Sequence, residues 1–296
     1  MFKDLNTIIE NEIRESNLDF YTVIIGAKPS QGARSPKLWN KIYNHEKKKV
    51  RMVPLDVRED KLEQVFNRLR GDDHCLGGTV AVPYKEKIFD LIKDNVNEEI
   101  KAIGAVNCFH RSNSRLLTNE FTGTNTDGEA ALEPIKQQLT ENKNLTIGLM
   151  GFGGAGKAIL AFLVRDFKNK HKICLFNRNT VDIKDYKKDW LSSYSFDDLD
   201  TSIPHFDLLI NATSVGHIDS TQITPVPKKL LAKAKRSLVV YDIIYDPTKT
   251  VLLKNSEEIG LHTINGLRMN LIQAALAYGY TNPTSLAKEE IYNLMR

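Results

Sequence analysis

The stretch that decides the fold is LTIGLMGFGGAGKA, at residues 145–158. An apolar run leads directly into a glycine-rich turn, and a helical pattern begins at that turn. A strand, a glycine turn and a helix N-terminus in this order form an anion site, because the first N–H groups of a helix lack partners within it. We therefore predict a dinucleotide-binding unit. Gly151 allows the tight turn, Gly153 lets the backbone approach a pyrophosphate, and Ala158 permits close packing of helix and strand.

The second strand of this unit indicates which dinucleotide binds. Lys172–Phe176 lies at the expected distance after the turn, and Asn177 and Arg178 follow it. An acidic residue at this point would bind the 2′-hydroxyl of NAD, whereas a guanidinium matches the geometry of a phosphate. The alternative is an ordinary exposed arginine. The position favours NADP, with Arg178 at the 2′-phosphate.

Length and composition limit the class of protein. A chain of 296 residues predicts two domains, and 41% hydrophobic with 26% charged residues is typical of a soluble globular protein. The net charge of +4 is small and the lysines are scattered, so we expect no nucleic-acid partner. Cys75, Cys108 and Cys174 have no metal or redox spacing. With no signal peptide and no membrane-length apolar run, we expect a cytoplasmic protein without a metal or a membrane partner.

Strand and helix patterns alternate in both halves of the chain, which is typical of parallel sheets covered by helices. The first half has the predicted strands Tyr21–Ile25, Val50–Val53 and Thr79–Val82, and a strand pair formed by Ala105–Phe109 and Arg115–Thr118. Asp127–Leu139 is predicted as a helix that leads into the second half. There the predicted strands are Leu145–Met150, Lys172–Phe176, Leu208–Asn211, Ser237–Asp242 and Leu261–Ile264. Two helices separated by Asn282-Pro283 are expected at the end.

These patterns predict an α/β protein of two α/β domains with a cleft between them. Residues 1–125 are expected to form a sheet domain that binds the substrate and is completed by the C-terminal helices at 268–296. Residues 126–267 are expected to form a Rossmann-type NADP-binding domain. Ligands of such sheets bind at the carboxyl ends of the strands.

Several short motifs occur in one order along nearly the whole chain, and in that order the sequence resembles the shikimate dehydrogenase family. The motifs are Gly26 followed by Gly32-Ala33-Arg34-Ser35-Pro36, TVAVPYK at 79–85, GAVNC at 104–108, GTNTDG at 123–128, the glycine turn with Asn177-Arg178, NATSVG at 211–216, DIIYDP at 242–247 and GLRMNLIQ at 266–273.

The resemblance implies reversible hydride transfer between NADPH and the ring carbonyl of 3-dehydroshikimate, which gives shikimate. It also implies that Lys85 and Asp127 are the catalytic pair. Reduction of a carbonyl leaves an alkoxide that needs a proton and a nearby positive charge, and an ammonium supplies both. The alternatives are a lysine whose stem lies along apolar surface and an aspartate that caps its own helix.

The resemblance also assigns binding residues. The substrate, a small cyclic hydroxy-acid, is expected to contact Ser35, Asn107, Asp127, Tyr245 and Gln273. The cofactor is expected to contact Gly151, Phe152, Gly153, Gly154, Ala155, Asn177, Arg178, Asn179, Ile243 and Gly266. The alternatives are helix-cap or surface amides at 107 and 273 and a packing aromatic at 245.

The chain departs from the family motifs in its substrate loop. Ala33 and Ala81 replace hydroxyl residues, and the loop between Gly26 and Ser35 is one residue longer. Loss of two hydroxyls from a polar pocket leaves a related enzyme for quinate or another cyclic hydroxy-acid as an alternative. An idle NADP-binding regulatory protein is a second alternative, and a folate-linked dehydrogenase is a third that fits the motifs less well. The sequence leaves a monomer and a homodimer open.

Overall fold

The computed structural model describes residues 2–111, 120–178, 189–217 and 220–296. The chain forms two compact units. The first unit comprises Met1–Thr126 and Leu271–Arg296, and the second unit comprises Asp127–Asn270. Within the described ranges, no helix combines the length and apolar character needed to cross a bilayer.

The first unit is built on a five-stranded mixed sheet of order β2-β1-β3-β4-β5. Its strands are β1 (Phe20–Gly26), β2 (Val50–Asp56), β3 (Cys75–Val80), β4 (Cys108–Arg111) and β5 (Phe121–Thr124). β1 pairs in parallel with β2 and with β3. β4 pairs antiparallel with β3, and β5 pairs antiparallel with β4. The helices are α1 (Ser35–His45), α2 (Leu62–Arg70), α3 (Lys85–Ile92) and α4 (Glu98–Ile103).

Two strand predictions in this unit need correction. The strand expected at Thr79–Val82 lies at Cys75–Val80, where glycines hide the β pattern. A Cβ atom at Gly78 would lie 2.0 Å from the carbonyl oxygen of Val23, so these glycines allow close approach of the strands. The second correction is that the strand expected at Ala105–Phe109 lies at Cys108–Arg111 and pairs with Phe121–Thr124. The partner expected at 115–118 lies outside the described residues.

The C-terminal helices complete the core of the first unit. These are α11 (Leu267–Thr281), which enters this unit at residue 271, and α12 (Lys288–Met295), separated at Asn282-Pro283 as predicted. Trp39 of α1 is fully buried and donates from Nε1 to the carbonyl oxygen of Ala274 at 3.0 Å. Its ring meets Tyr278 edge to face at 5.4 Å. These contacts fix α1 against α11.

The second unit contains a six-stranded sheet of order β11-β10-β9-β6-β7-β8, in which every pair is parallel. Its strands are β6 (Thr146–Met150), β7 (Lys172–Asn177), β8 (Leu191–Ser195), β9 (Leu208–Asn211), β10 (Val239–Asp242) and β11 (His262–Ile264). The sequence patterns do not predict β8, because the serines of this edge strand give no apolar pattern. The parallel sheet expected of a Rossmann-type domain is otherwise present.

The helices of the second unit are α5 (Asp127–Leu132), α6 (Lys136–Glu141), α7 (Gly154–Phe167), α8 (Leu199–Ser202), α9 (Lys228–Leu231) and α10 (Val251–Glu258). The single helix predicted over Asp127–Leu139 is interrupted by a 3₁₀ turn at Glu133–Ile135. Pro134 explains the break, because proline removes a backbone donor and crowds the preceding turn.

Candidate active site

The glycine turn in the second unit has the predicted geometry. Gly151 has a φ of +95°, and its N–H donates to the carbonyl oxygen of Phe176 at 2.8 Å. A Cβ atom at Gly156 would lie 2.1 Å from the carbonyl oxygen of Gly151, so α7 begins directly against the turn. The closest approach of helix and turn is therefore at Gly156. The carbonyl oxygen of Ala158 instead faces Gly128 of α5, where a Cβ atom would lie 2.7 Å away.

The N-terminus of α7 has open space beside the turn. Gly153 is exposed, and a Cβ atom there would meet nothing within 4 Å, which leaves space at the N-terminus of α7. Met150 of β6 pairs with Phe176 of β7, and exposed Arg178 follows two residues later. The same sheet edge therefore offers helix N–H groups and a guanidinium, which suits a pyrophosphate and a 2′-phosphate. Asn179, another expected contact, lies outside the described residues.

Two further expected cofactor contacts, Ile243 and Gly266, lie just after β10 and β11. The N–H of Gly266 donates to the carbonyl oxygen of Ile244 at 3.0 Å. A Cβ atom at Gly266 would lie 1.9 Å from the carbonyl oxygen of Ile243, so only glycine fits there. Tyr245 is half-buried and follows directly. The structure thus brings Ile243 and Ile244 against Gly266.

In the first unit, two of the expected site residues, Asn107 and Gln273, are hydrogen-bonded to Thr126. Asn107 is 2% exposed, and its Oδ1 accepts from the Thr126 N–H at 2.8 Å while its Nδ2 donates to Thr126 Oγ1 at 2.9 Å. Thr126 Oγ1 donates to the carbonyl oxygen of Gln273 at 3.2 Å. The carbonyl oxygen of Lys85 accepts from the Val106 N–H at 3.0 Å, beside Asn107.

Ser35 lies at the start of α1 and is 5% exposed. One turn further on, Trp39 is bonded to Ala274, the neighbour of Gln273. Ser35 and Gln273 are therefore on contacting helices of the first unit.

An aspartate that the sequence analysis did not single out holds the loop before Ser35. Asp56, buried at the end of β2, accepts from the Ser30 N–H at 2.8 Å and from Ser30 Oγ at 2.5 Å. The only sequence signal for this loop-holding role is an acidic residue at the carboxyl end of a parallel strand. Many aspartates that are simply exposed to solvent occupy the same kind of position.

The two alanines at the motif departures lie against apolar surroundings. Ala33 and Ala81 are half-buried and pack against the cluster that contains Trp39 and Tyr278. A Cβ atom at Gly26 would lie 3.0 Å from Ala81 Cβ. Each methyl group therefore adds apolar surface where the family motif carries a hydroxyl.

Asp127 is the first residue of α5 in the second unit and is 3% exposed. The next residue, Gly128, lies against α7, since a Cβ atom there would be 2.3 Å from the ring of Phe162. This packing fixes the backbone that carries the carboxylate. Across the part of the chain that the structure describes, no group of three or more His, Cys, Asp or Glu side chains is arranged to hold a metal ion.

Comparisons with known proteins agree on one family. Residues 24–109 match the family described as shikimate dehydrogenase substrate binding domain. The chain is 30% identical over 294 residues to a protein of Methanococcus vannielii named shikimate dehydrogenase (NADP(+)), covering 94% of this chain and 99% of that one. The crystal structure of shikimate dehydrogenase from Aquifex aeolicus superposes with a TM-score of 0.77 at 27% identity, covering 96% and 100% of the two chains.

A shikimate dehydrogenase crystallised with NADP+ superposes with a TM-score of 0.76 at 25% identity, covering 96% of this chain and 98% of that one. At 94% and 96% coverage of this chain, the two similarities extend over both units. The chain belongs to the shikimate dehydrogenase family.

Proposed function

We propose that this protein catalyses the reversible, NADP-dependent reduction of the ring carbonyl of 3-dehydroshikimate to shikimate. The observation that carries the proposal is full-length similarity to a protein named shikimate dehydrogenase (NADP(+)), which the chain covers to 99%. The hydrogen bonds of Asn107 and Gln273 to Thr126 support it, because they bring together two of the expected substrate residues of the first unit.

The second unit is proposed to bind NADP. The glycine turn at 151–155 would hold the pyrophosphate, Asn177, Arg178 and Asn179 the adenosine ribose and its 2′-phosphate, and Ile243 and Gly266 the nicotinamide end. The first unit is proposed to bind the substrate through Ser35, Asn107 and Gln273, with Asp127 and Tyr245 contributing from the second unit. The open space at Gly153 and the exposed Arg178 support the cofactor assignment.

NADPH held by the residues named above would supply a hydride to the carbonyl carbon. The Lys85 ammonium would donate its proton to the carbonyl oxygen as negative charge develops there, so that this oxygen ends as a hydroxyl group. Before this transfer, the positive charge on Lys85 stabilises the developing negative charge. In the reverse direction, neutral Lys85 accepts the proton of the alcohol. Asp127 is proposed to orient the ammonium.

The first test measures NADPH absorbance at 340 nm with shikimate and NADP+, comparing wild type with Lys85→Ala. We expect turnover to fall by about 100-fold or more, the usual contribution of a positioned acid or base, while calorimetric NADP+ affinity stays the same. Lys87→Ala is the matched control, because Lys87 is an exposed lysine on the same helix that pairs with Glu59. Near-wild-type turnover in Lys85→Ala would refute the catalytic assignment.

A second candidate function is oxidation of quinate or another cyclic hydroxy-acid. Ala33 and Ala81 favour it, since apolar contacts replace two hydroxyls of the family motif. A panel of shikimate, quinate and related hydroxy-acids, each with NADP+ and with NAD+, separates the candidates by kcat/KM. A higher kcat/KM for quinate would favour the second candidate. Binding of NADP+ without oxidation of any compound would favour an idle regulatory protein.

A further inference from the structure

The end of β10 carries a carboxylate that the proposed mechanism does not use. Asp242 is 0% exposed. Within the described residues, its hydrogen bonds come from neutral donors. Oδ1 accepts from Asn211 Nδ2 at 3.0 Å and from the Ile244 N–H at 3.1 Å, and Oδ2 accepts from Thr250 Oγ1 at 2.7 Å.

These bonds join three segments at one edge of the sheet in the second unit. Asn211 ends β9, and its Oδ1 accepts from the N–H of Thr213 in the following loop at 3.0 Å. Thr250 is the N-cap of α10 and accepts from the Leu253 N–H at 3.4 Å. The carboxylate therefore connects the loop after β9, its own strand and the start of α10.

The residues that directly follow β10 lead to the expected cofactor contacts. The N–H of Ile244 donates to Asp242, and the carbonyl oxygen of Ile244 accepts from the Gly266 N–H at 3.0 Å. The carbonyl oxygen of Ile243 lies directly over Gly266, where a side chain has no space. The position of Ile243 and Gly266 thus depends on a peptide that Asp242 holds.

The arrangement is costly for the fold. Burial raises the pKa of Asp242 to about 6, although the bonds from Thr250, Ile244 and Asn211 oppose this shift. A buried charge without an opposite charge beside it destabilises a protein relative to a neutral isostere. Groups held at such a cost occur most often where function requires them.

We propose that Asp242 is a positioning residue for the cofactor, fixing Ile243 and Gly266 at the nicotinamide end of the NADP site. This inference rests on the proposed NADP-binding function of the second unit. Asp242 acts through the backbone and does not itself contact the cofactor.

The test is Asp242→Asn, which keeps the shape of the side chain and one oxygen acceptor. We expect calorimetric NADP+ affinity to fall by about tenfold, since small displacements of positioning groups have large effects. The KM for NADP+ should rise by a similar factor, while the KM for shikimate stays unchanged and Tm does not fall. Thr250→Val should weaken NADP+ binding in the same direction, and Thr250→Ser should restore it.

Ser256→Ala is the matched control. Ser256 is fully buried on α10, and its hydroxyl donates within the helix to the carbonyl oxygen of Leu252 at 2.8 Å. NADP+ affinity should be unchanged in this variant. Unchanged affinity in Asp242→Asn, with or without a lower Tm, would overturn the proposal. Wild-type protein that binds NADP+ but oxidises no hydroxy-acid would refute the enzymatic function alone, whereas wild type without NADP+ affinity would refute both.

Discussion

Asn107 and Thr126 are joined by two hydrogen bonds, at 2.8 Å to the Thr126 N–H and at 2.9 Å to its Oγ1. These bonds fix the backbone of Thr126, the residue immediately before Asp127. The buried amide of Asn107 therefore helps to position the segment that carries the proposed catalytic carboxylate.

Asn107→Ala should therefore destabilise the protein. It leaves the buried Thr126 N–H without its acceptor, which costs about 1–3 kcal/mol. Urea unfolding should show this loss, and kcat should fall with it. Thr126→Ser, which keeps both bonding groups, serves as the control. An Asn107→Ala protein with wild-type unfolding free energy would contradict the positioning role.

Arg178→Gln should change the choice of cofactor. Only NADP+ carries the 2′-phosphate, so the variant should lose about 1.5–3 kcal/mol of NADP+ binding and keep its affinity for NAD+. Calorimetry with both cofactors measures this difference. Arg165→Gln is the control, because Arg165 is an arginine of the same unit that pairs with the adjacent Asp166. Equal losses for both cofactors would mean that Arg178 supports the fold instead.

Ser30→Ala should loosen the loop that leads to Ser35. The variant loses the hydroxyl bond to Asp56 and keeps the backbone bond. We expect the KM for shikimate to rise by about 3- to 10-fold, with kcat and the KM for NADP+ unchanged, because a displaced loop affects the substrate alone. Thr7→Ala, which removes an exposed local hydroxyl bond in the same unit, is the control. A rise in both Michaelis constants would count against a role confined to the substrate.

Asp242 should make stability fall as the pH rises. Burial raises the pKa of Asp242 from 3.8 to about 6, so the folded state binds its proton more tightly than the unfolded state does. The stabilisation from this proton is complete below about pH 4 and is lost as the pH rises through about 6. Its size is on the order of 2–3 kcal/mol, and Asp242→Asn lacks it.

The measurement compares urea unfolding of wild type and Asp242→Asn at pH 4.5 and pH 7.5. The unfolding free energy of the variant, relative to that of wild type, should be higher at pH 7.5 than at pH 4.5. A difference that is constant with pH would show that the carboxylate does not titrate in this range.

The conformation of the glycine turn could be predicted because its requirements are local. Gly151 is needed for a positive φ at the end of a strand, and the bond from its N–H to Phe176 follows from two adjacent parallel strands. Residues close in the chain carry this information, as apolar runs, glycine spacing and the residue after the second strand. The edge strand β8 was missed because it has no such pattern.

The positioning network could not be predicted, because it joins segments that are far apart in the chain. Ser30 and Asp56 are 26 residues apart, and Asn211 and Asp242 are 31 residues apart. In the sequence, these side chains look like ordinary polar residues at strand ends and in loops. Only the packing of the strands shows which polar groups are buried together and therefore must satisfy one another.

The sequence by itself determined the two α/β patterns, the glycine turn, the preference for NADP and the order of motifs that identifies the family. The tertiary structure alone decided that β4 pairs with Phe121–Thr124, that Trp39 fixes α1 to Ala274 across 235 residues, and that Asp242 is buried among neutral donors. The physical reason is that backbone conformation is set mainly by near neighbours in the chain. Burial and hydrogen-bond partners are set by which distant segments the fold brings into contact.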